Sequence, residues 1–151
     1  MTLAPKPETF PRIRSALKFY QVCSYITGVM LLLLVAEMLL KYVAHLELFA
    51  FGSGGLLSLE PVLEGPEGLE STGDGVNLSI GILIVHGWFY VVYLISSFRV
   101  WTLMRWNLIR LLLMAAGGVV PFLSFIVEAR ITRIVRDQLA ALQTPTVEVA
   151  P

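Results

Sequence analysis

The sequence predicts an all-α integral membrane protein with three transmembrane helices and a basic amphipathic C-terminal helix. Three observations lead to this fold class. Hydrophobic residues make up 56% of the 151 residues, with no formal net charge and a mean hydropathy of +0.76. The chain contains three apolar runs of about 20 residues or more, the length that an α-helix needs to cross a bilayer. Its charged residues are segregated along the chain, which is typical of a membrane topology signal.

The first span is predicted at about residues 16–42, because this run is almost continuously apolar. Residues 1–15 come before it, and this arm is expected to be disordered because its beginning is rich in proline and lacks periodicity. Tyr20 and Tyr42 lie near the two ends of the run, where aromatic rings with one polar edge settle at the headgroups.

Residues 43–75 are predicted to form an acidic loop on the outer side of the membrane. The cluster Gly52-Ser53-Gly54-Gly55 interrupts any helix long enough to cross, and Pro61 and Pro66 follow it. The loop contains no Lys or Arg, and its acidic residues are Glu47, Glu60, Glu64, Glu67, Glu70 and Asp74.

The second span, at about residues 76–98, contains the histidine that lies deepest in an apolar run, His86. At 100° per residue, the strongly polar side chains of this run fall within an arc of about 60°. They are Ser79, His86, Tyr90, Tyr93 and Ser97. An unpaired polar group in hydrocarbon is costly, so we expect this stripe to face protein and the apolar faces to contact lipid.

The third span is predicted at about residues 108–127, with a kink or a close helix contact at Gly117, Gly118 and Pro121. It completes a membrane domain that covers residues 16–136. From Glu128 to Leu142 the sequence predicts the basic amphipathic helix, with Arg130, Arg133 and Arg136 on its polar side. Residues 137–151 form the C-terminal tail, which is expected to be disordered from Gln143 onwards.

The distribution of Lys and Arg leaves two topologies open. With three full spans and the N-terminus inside, the inner side carries Lys6, Arg12, Arg14, Lys18, Arg99, Arg105 and Arg110. The outer side then carries Lys41, Arg130, Arg133 and Arg136. The larger number of Lys and Arg on the inner side supports an N-terminus inside. The basic tail on the outer side, however, conflicts with the positive-inside rule. In the alternative, residues 108–127 enter the membrane and return at Gly117-Gly118, which leaves the tail inside.

Two hypotheses concern the polar residues within the spans, Glu37, Lys41, His86, Tyr90 and Tyr93. Glu37 lies one helical turn before Lys41, so the two can neutralise each other near the headgroups. Alternatively, Glu37 reaches His86 and the two form a centre that binds or passes a proton. For His86 alone, a hydrogen bond to a facing helix that simply joins two spans is the simpler interpretation.

The sequence indicates no catalytic machinery, no metal site and no cofactor. Its serines lack a suitably spaced His and Asp, and no Gly-x-Ser-x-Gly motif occurs. The other histidine, His45, lies in the loop, and neither histidine has a cluster of Cys or carboxylate residues beside it. The charge distribution argues against a nucleic-acid partner. An enzyme that acts on lipid would have only the polar stripe of the second span in its favour.

Three local patterns occur in order along the chain and resemble one family. They are Leu40-Lys41-Tyr42, His86-Gly87, and Pro121-Phe122 with Phe125, Glu128 and Arg130. The sequence between about Arg12 and Arg136 resembles the small bacterial integral membrane proteins catalogued as domain of unknown function 3817. The resemblance implies a three-spanning architecture, and it supplies no mechanism because the family has no assigned activity. This chain differs by having Leu39 where many members have proline, and Thr27-Gly28 where an acidic residue and Gly are common.

Together these features predict a non-enzymatic, multi-pass protein of the bacterial cytoplasmic membrane with its N-terminus in the cytoplasm. Its expected contacts are membrane lipids and either further copies of itself or a larger membrane complex, because three spans bury little surface in one chain. The second functional hypothesis is a proton-coupled transporter or channel subunit with Glu37 and His86 in the proton path.

Overall fold

A computed structural model describes residues 5–66 and 68–143. After a 3-10 turn at Pro7–Thr9, the elements are α1 (Phe10–Val43), β1 (Leu46–Gly52), β2 (Gly55–Gly65), β3 (Gly68–Ser71), β4 (Val76–Asn77), α2 (Leu78–Met104), α3 (Leu108–Gly117) and α4 (Leu123–Gln143). The prediction of an all-α fold is therefore wrong, since a four-stranded sheet lies between the two long helices in the sequence.

The chain divides into two compact units. The first comprises Met1–Gly28 and Val92–Pro151, and the second comprises Val29–Val91. Both α1 and α2 contribute residues to each unit. The sheet belongs to the second unit, and α3 and α4 belong to the first.

Among the described residues, α1 and α2 are the two helices that are long and apolar enough to cross a membrane. They contain 34 and 27 residues, and at a rise of about 1.5 Å per residue both exceed the hydrocarbon thickness of about 30 Å. The first helix begins at Phe10, so residues 10–15 are helical and not part of a disordered arm. Pro11 does not prevent this, because an amide hydrogen in the first turn has no partner within the helix. Residues 1–4 of the predicted arm lie outside the described residues.

The region predicted as an acidic loop, residues 43–75, instead forms most of an antiparallel sheet in the order β3-β2-β1-β4. In the central hairpin, Glu47 is opposite Glu60 and Phe49 is opposite Ser58. Gly52 pairs with Gly55 across the turn, and Gly55 has a φ of +111°, which glycine adopts without strain. The glycine cluster thus ends one strand and begins the next. Four of the acidic residues, Glu47, Glu60, Glu64 and Glu70, lie on strands.

The predicted third span is divided into two helices. α3 has ten residues, so it measures about 15 Å, half of a hydrocarbon core. Gly118 caps it, since its amide donates to the carbonyl of Ala115 and the amide of Val119 donates to the carbonyl of Ala116. Pro121 lies in the connection, and Phe122 takes a φ of +63° before α4 begins. The chain therefore has the end of a helix, and not a kink within a continuous span, at Gly117, Gly118 and Pro121.

Within the first unit, α4 runs antiparallel to α1. Ser124 contacts Ser24, Glu128 contacts Gln21, and Gln143 contacts Arg14, so that later residues of α4 meet earlier residues of α1. The connection between α3 and α4 follows Gly117, so the predicted third span is not one continuous helix. Residues 137–143 of the predicted tail belong to α4, whereas residues 144–151 lie outside the described residues.

The two sides of α4 differ in burial and charge. Glu128, Ile131, Val135 and Leu139 are among its buried residues. Arg130, Arg133 and Arg136 are exposed. The buried side of this helix therefore packs within the first unit, and the arginines reach its surface.

Candidate functional site

The second unit contains a cavity of about 390 Å³ beside the C-terminal end of α1, the sheet and the start of α2. One part of its wall is polar and is formed by Glu37, Lys41, Glu47, Ser71, Asn77 and Ser79. Another part is apolar and includes Leu34, Met38 and Leu83. The cavity therefore combines a small polar cluster with an apolar wall, which is the usual composition of a ligand pocket.

Glu47 is the central residue of the polar wall. It lies on β1, and only 2% of its surface is exposed. Lys41 Nζ donates to its Oε1 at 2.6 Å, Asn77 Nδ2 donates to its Oε2 at 3.2 Å, and the Ser71 hydroxyl also donates to Oε2. This carboxylate thereby joins the end of α1 to three of the four strands.

These hydrogen bonds determine the charge state of Glu47. Burial on its own would raise the pKa of the carboxyl group, but the hydrogen bonds from Lys41, Ser71 and Asn77 and the positive charge of Lys41 outweigh it. The pKa of Glu47 is consequently lowered. The carboxylate is ionised at neutral pH, as its pairing with Lys41 requires.

Glu37 has a different partner from both of those predicted. Its Oε2 accepts a hydrogen bond from Ser79 Oγ at 2.8 Å, which joins α1 to the first turn of α2. Among the described residues, the ion pair of Lys41 is with Glu47 and not with Glu37. With two carboxylates and one ammonium group, the cavity wall has an excess of one negative charge and therefore favours a cation or a hydrogen-bond donor.

His86 is buried, with 9% of its surface exposed, and its ring stacks on that of Tyr90 with centroids 6.3 Å apart. It follows Ser79 by seven residues, which is about 10 Å along the helix axis. Within the described part of the chain, Glu37 bonds to Ser79 and makes no hydrogen bond to His86, while Nδ1 of His86 has no hydrogen-bond partner. The structure therefore places His86 next to an aromatic ring and does not join it to Glu37.

Tyr93 lies in the first unit and is fully buried. Its hydroxyl donates to the carbonyl oxygen of Met114 on α3, and its ring stacks on Tyr20 with centroids 5.7 Å apart. A Cβ atom on Gly117 would lie 3.0 Å from the Tyr93 hydroxyl. Gly117 thus permits α3 to approach α2 closely enough for this hydrogen bond to form.

A second polar cluster, which the sequence analysis missed, joins α1 to α4. Gln21 Nε2 donates to Glu128 Oε1 at 2.9 Å, and Thr132 Oγ1 donates to the same oxygen at 2.8 Å. One turn further along α1, the Ser24 and Ser124 hydroxyls are 2.9 Å apart. The polar residues Gln21 and Ser24, three positions apart on one side of α1, are the sequence signal that could have indicated this helix contact.

The part of the chain that the structure describes contains no group of three or more His, Cys, Asp or Glu side chains that could hold a metal ion. The single cysteine, Cys23, is buried and has a free thiol. The polar clusters of both units are therefore built mainly from carboxylates, amides and hydroxyls, which act through hydrogen bonds and charge.

Comparisons with known proteins identify a family. The family described as Domain of unknown function (DUF3817) matches residues 17–133. The chain is 25% identical over 148 residues to the uncharacterized protein ML1176 of Mycobacterium leprae (strain TN), covering 93% of this chain and 98% of that protein. It is 26% identical over 117 residues to the uncharacterized protein Rv1342c of Mycobacterium tuberculosis, covering 78% of this chain and 73% of that protein.

No solved structure matches the chain. The relatives are bacterial, and their names state no activity. The family match includes most of α1, the sheet, all of α2 and α3, and the first half of α4. The chain therefore belongs to the DUF3817 family.

Proposed function

We propose that this chain is a non-enzymatic integral membrane protein that crosses the bilayer twice, through α1 and α2, and acts as a small accessory subunit by self-association or within a larger complex. The observation that carries this proposal is the apolar surface of α2. Only 6% of its most apolar stretch of 18 residues is buried. Ile84, Trp88, Val91 and Ile95 are exposed, and such a continuous apolar surface requires lipid or another protein to cover it.

The distribution of charge supports a cytoplasmic N-terminus in the bacterial cytoplasmic membrane. Every Lys and Arg except Lys41 belongs to the first unit. Within that unit, the N-terminal part of α1, the C-terminal part of α2 and the second half of α4 lie close together, because Arg12 and Thr102 line one cavity and Arg14 bonds to Gln143. The positive-inside rule then assigns this basic end to the cytoplasm and the acidic sheet to the outer side.

The assembly part of the proposal rests on how little of the two spans is covered within one chain. Trp88 is 71% exposed and Ile95 is 61% exposed, both on α2. Two helices bury only one side of each other, and helix association in lipid depends on packing and hydrogen bonding between such surfaces. A second copy or another membrane protein on α2 would provide that packing.

Cysteine labelling in intact cells tests the topology. In a Cys23→Ser background, we expect Ser53→Cys in the β1–β2 turn to react with an impermeant maleimide from outside. Gln143→Cys at the end of α4 should react only after the membrane is permeabilised. If Gln143→Cys reacts from outside while Ser53→Cys is protected, the proposed orientation is wrong.

Cross-linking of the full chain in native membranes, followed by size analysis in mild detergent, tests the assembly. We expect a dimer, a higher oligomer or a complex with another membrane protein, which Trp88→Ala on the exposed side of α2 should weaken more than Tyr25→Ala on α1. A lone monomer in membranes and in detergent would exclude the accessory role.

The second candidate is a subunit of a proton-coupled transporter or channel. The observation that favours it is the buried imidazole of His86, whose Nδ1 has no hydrogen-bond partner among the described residues and is not committed to a structural hydrogen bond. This candidate requires a path between His86 and Glu37 that is supplied by water or by rearrangement, because Glu37 bonds to Ser79.

A further inference from the structure

The first unit contains a basic cleft between the N-terminal part of α1 and the C-terminal part of α4. Its volume is about 330 Å³. Arg14 and Lys18 line it from α1, and Arg136 lines it from α4. No Asp or Glu lies among its lining residues.

We propose that this basic cleft binds a phosphate group, and that in the membrane this phosphate is the headgroup of an anionic phospholipid. The polar side chains that line the cleft lie on facing sides of the two helices. Arg14 and Lys18 are one turn apart on α1, and Arg136 and Gln143 are two turns apart on α4. The guanidinium group of Arg14 donates to Gln143 Oε1 at 3.2 Å, so the two sides are joined at one end of the cleft.

The three cations lack carboxylate partners within the described residues. The ion pairs found there are Lys6–Glu8 and Lys41–Glu47. The acidic residue on the buried side of α4, Glu128, is 4% exposed and accepts hydrogen bonds from Gln21 and Thr132. Like charges around one cavity repel each other, so an anion that enters it relieves this repulsion. Guanidinium groups match the oxygens of a phosphate in a bidentate geometry.

The surroundings of the cleft favour a lipid over a free phosphate. Leu17 and Leu139 line the cleft and are each 5% exposed, so its floor is apolar. From Lys18 the same side of α1 continues through Val22 and Ile26, which are 57% and 37% exposed. A headgroup held by Lys18 would thus place its acyl chain along exposed apolar side chains. Basic pockets at the cytoplasmic ends of membrane helices are suited to anionic headgroups.

The choice of a lipid rests on the proposed membrane location, whereas the affinity for a phosphate does not. The test therefore uses three probes with the purified full chain: phosphatidylglycerol, phosphatidylcholine and inorganic phosphate. Native mass spectrometry in neutral detergent measures how much of each lipid is retained. We expect retention of phosphatidylglycerol in clear preference to phosphatidylcholine.

Two double variants with the same change in net charge isolate the cleft. Lys18→Gln with Arg136→Gln removes two of its cations, and Arg105→Gln with Arg133→Gln removes two exposed cations that do not line it. We expect the first variant to lose about tenfold or more of its affinity for phosphatidylglycerol. The second should stay close to the unmodified chain. Equal losses of affinity in both variants would show that only the general surface charge attracts the lipid. Unchanged affinity in both variants would also contradict binding in this cleft.

Thermal unfolding of the unmodified chain provides a measurement that does not depend on any variant. Phosphatidylglycerol should raise the melting temperature, and phosphatidylcholine should not. If inorganic phosphate stabilises the chain as strongly as phosphatidylglycerol and displaces it, the ligand is a soluble anion and the lipid assignment is wrong. Absence of the chain from the membrane fraction would contradict the proposed function without affecting phosphate binding in detergent.

Discussion

Lys41 Nζ lies 2.6 Å from Glu47 Oε1, so a residue in the last turn of α1 pairs with one on β1 only six positions later. Between them the chain leaves the helix through Ala44 and His45, where His45 has a φ of +54°. Glu47 is almost completely buried, whereas the Lys41 side chain is 26% exposed. This ion pair therefore fixes the start of the sheet relative to the end of the helix.

Replacing Glu47 by Gln should destabilise the second unit. The substitution keeps the shape of the side chain but replaces a negatively charged carboxylate, whose two oxygens accept hydrogen bonds from Lys41, Ser71 and Asn77, by a neutral amide with one acceptor oxygen. We expect the free energy of unfolding to fall by about 1–3 kcal/mol, the cost of leaving buried polar groups poorly paired. Chemical unfolding in mixed micelles measures it. Glu64→Gln, an exposed acid on β2, is the control and should change the free energy by less than about 0.5 kcal/mol. Equal effects of the two substitutions would contradict the structural role of Glu47.

The same carboxylate predicts how stability depends on pH. The pKa of Glu47 in the folded protein is lowered from its ordinary value of 4.5. The unfolded chain therefore takes up a proton at a higher pH than the folded chain does. The stabilisation is complete above the ordinary pKa and is lost as the pH falls through the lower, folded value.

The melting temperature of the unmodified chain should therefore fall as the pH is lowered from neutral to below pH 4. The melting temperature of Glu47→Gln should fall less over the same range. Glu64→Gln should retain the full decrease. If Glu47→Gln and the unmodified chain have parallel pH profiles, the Glu47 carboxylate does not contribute to acid sensitivity.

Gly28 on α1 lies directly beneath the ring of Phe125 on α4. A Cβ atom at this position would lie 2.9 Å from Cζ of Phe125, closer than real Cβ contacts. Gly28→Ala should therefore lower the free energy of unfolding by about 1–3 kcal/mol. Gly87→Ala is the matched control, since a Cβ atom there meets nothing within 4 Å. Because alanine favours a helix over glycine by about 1 kcal/mol, Gly87→Ala should be neutral or stabilising. A Gly28→Ala protein as stable as Gly87→Ala would show that Phe125 moves aside without cost.

Hydrophobic runs were sufficient to predict α1 and α2, because the apolar length of a helix is a local property of the chain. They were not sufficient for residues 108–127, where composition alone does not distinguish one span from two helices. The end of α3 depends on the cap that Gly118 provides. The connection to α4 also depends on Phe122, whose φ is +63°. The Lys and Arg distribution left two topologies open and did not indicate where α3 ends.

The sheet was missed because the glycine cluster was interpreted as a flexible turn that interrupts a helix, and the residues on either side of it were not interpreted as strands. Apolar residues on both sides of Gly52-Ser53-Gly54-Gly55 also fit a hairpin, in which strands alternate around a short turn. The strand partners of Glu47, Ser71 and Asn77, could not be predicted without this sheet. Lys41 was expected to pair with the acid one turn earlier, but the strand brings a more deeply buried carboxylate to its ammonium group.

His86 distinguishes the two proposed functions. Its ring is buried against Tyr90, and Nδ1 has no hydrogen-bond partner among the described residues. His86→Phe keeps an aromatic ring in this position and removes both titratable nitrogens. Since an unpaired buried polar atom costs about 1–3 kcal/mol, we expect His86→Phe to be at least as stable as the unmodified chain. His86→Ala should be less stable by about 2–4 kcal/mol, because it leaves a cavity.

The accessory role predicts that His86→Phe leaves proton movement unchanged. In liposomes that contain a pH-sensitive dye, the unmodified chain and His86→Phe should show the same flux under an imposed pH gradient, and Tyr90→Phe serves as the control for a change beside the imidazole. A pH-dependent flux that disappears in folded His86→Phe and persists in Tyr90→Phe would instead assign proton transfer to the imidazole. The comparison is decisive because His86→Phe removes the proton-binding atoms while its stability, measured on the same preparation, reports whether the helix contact survives.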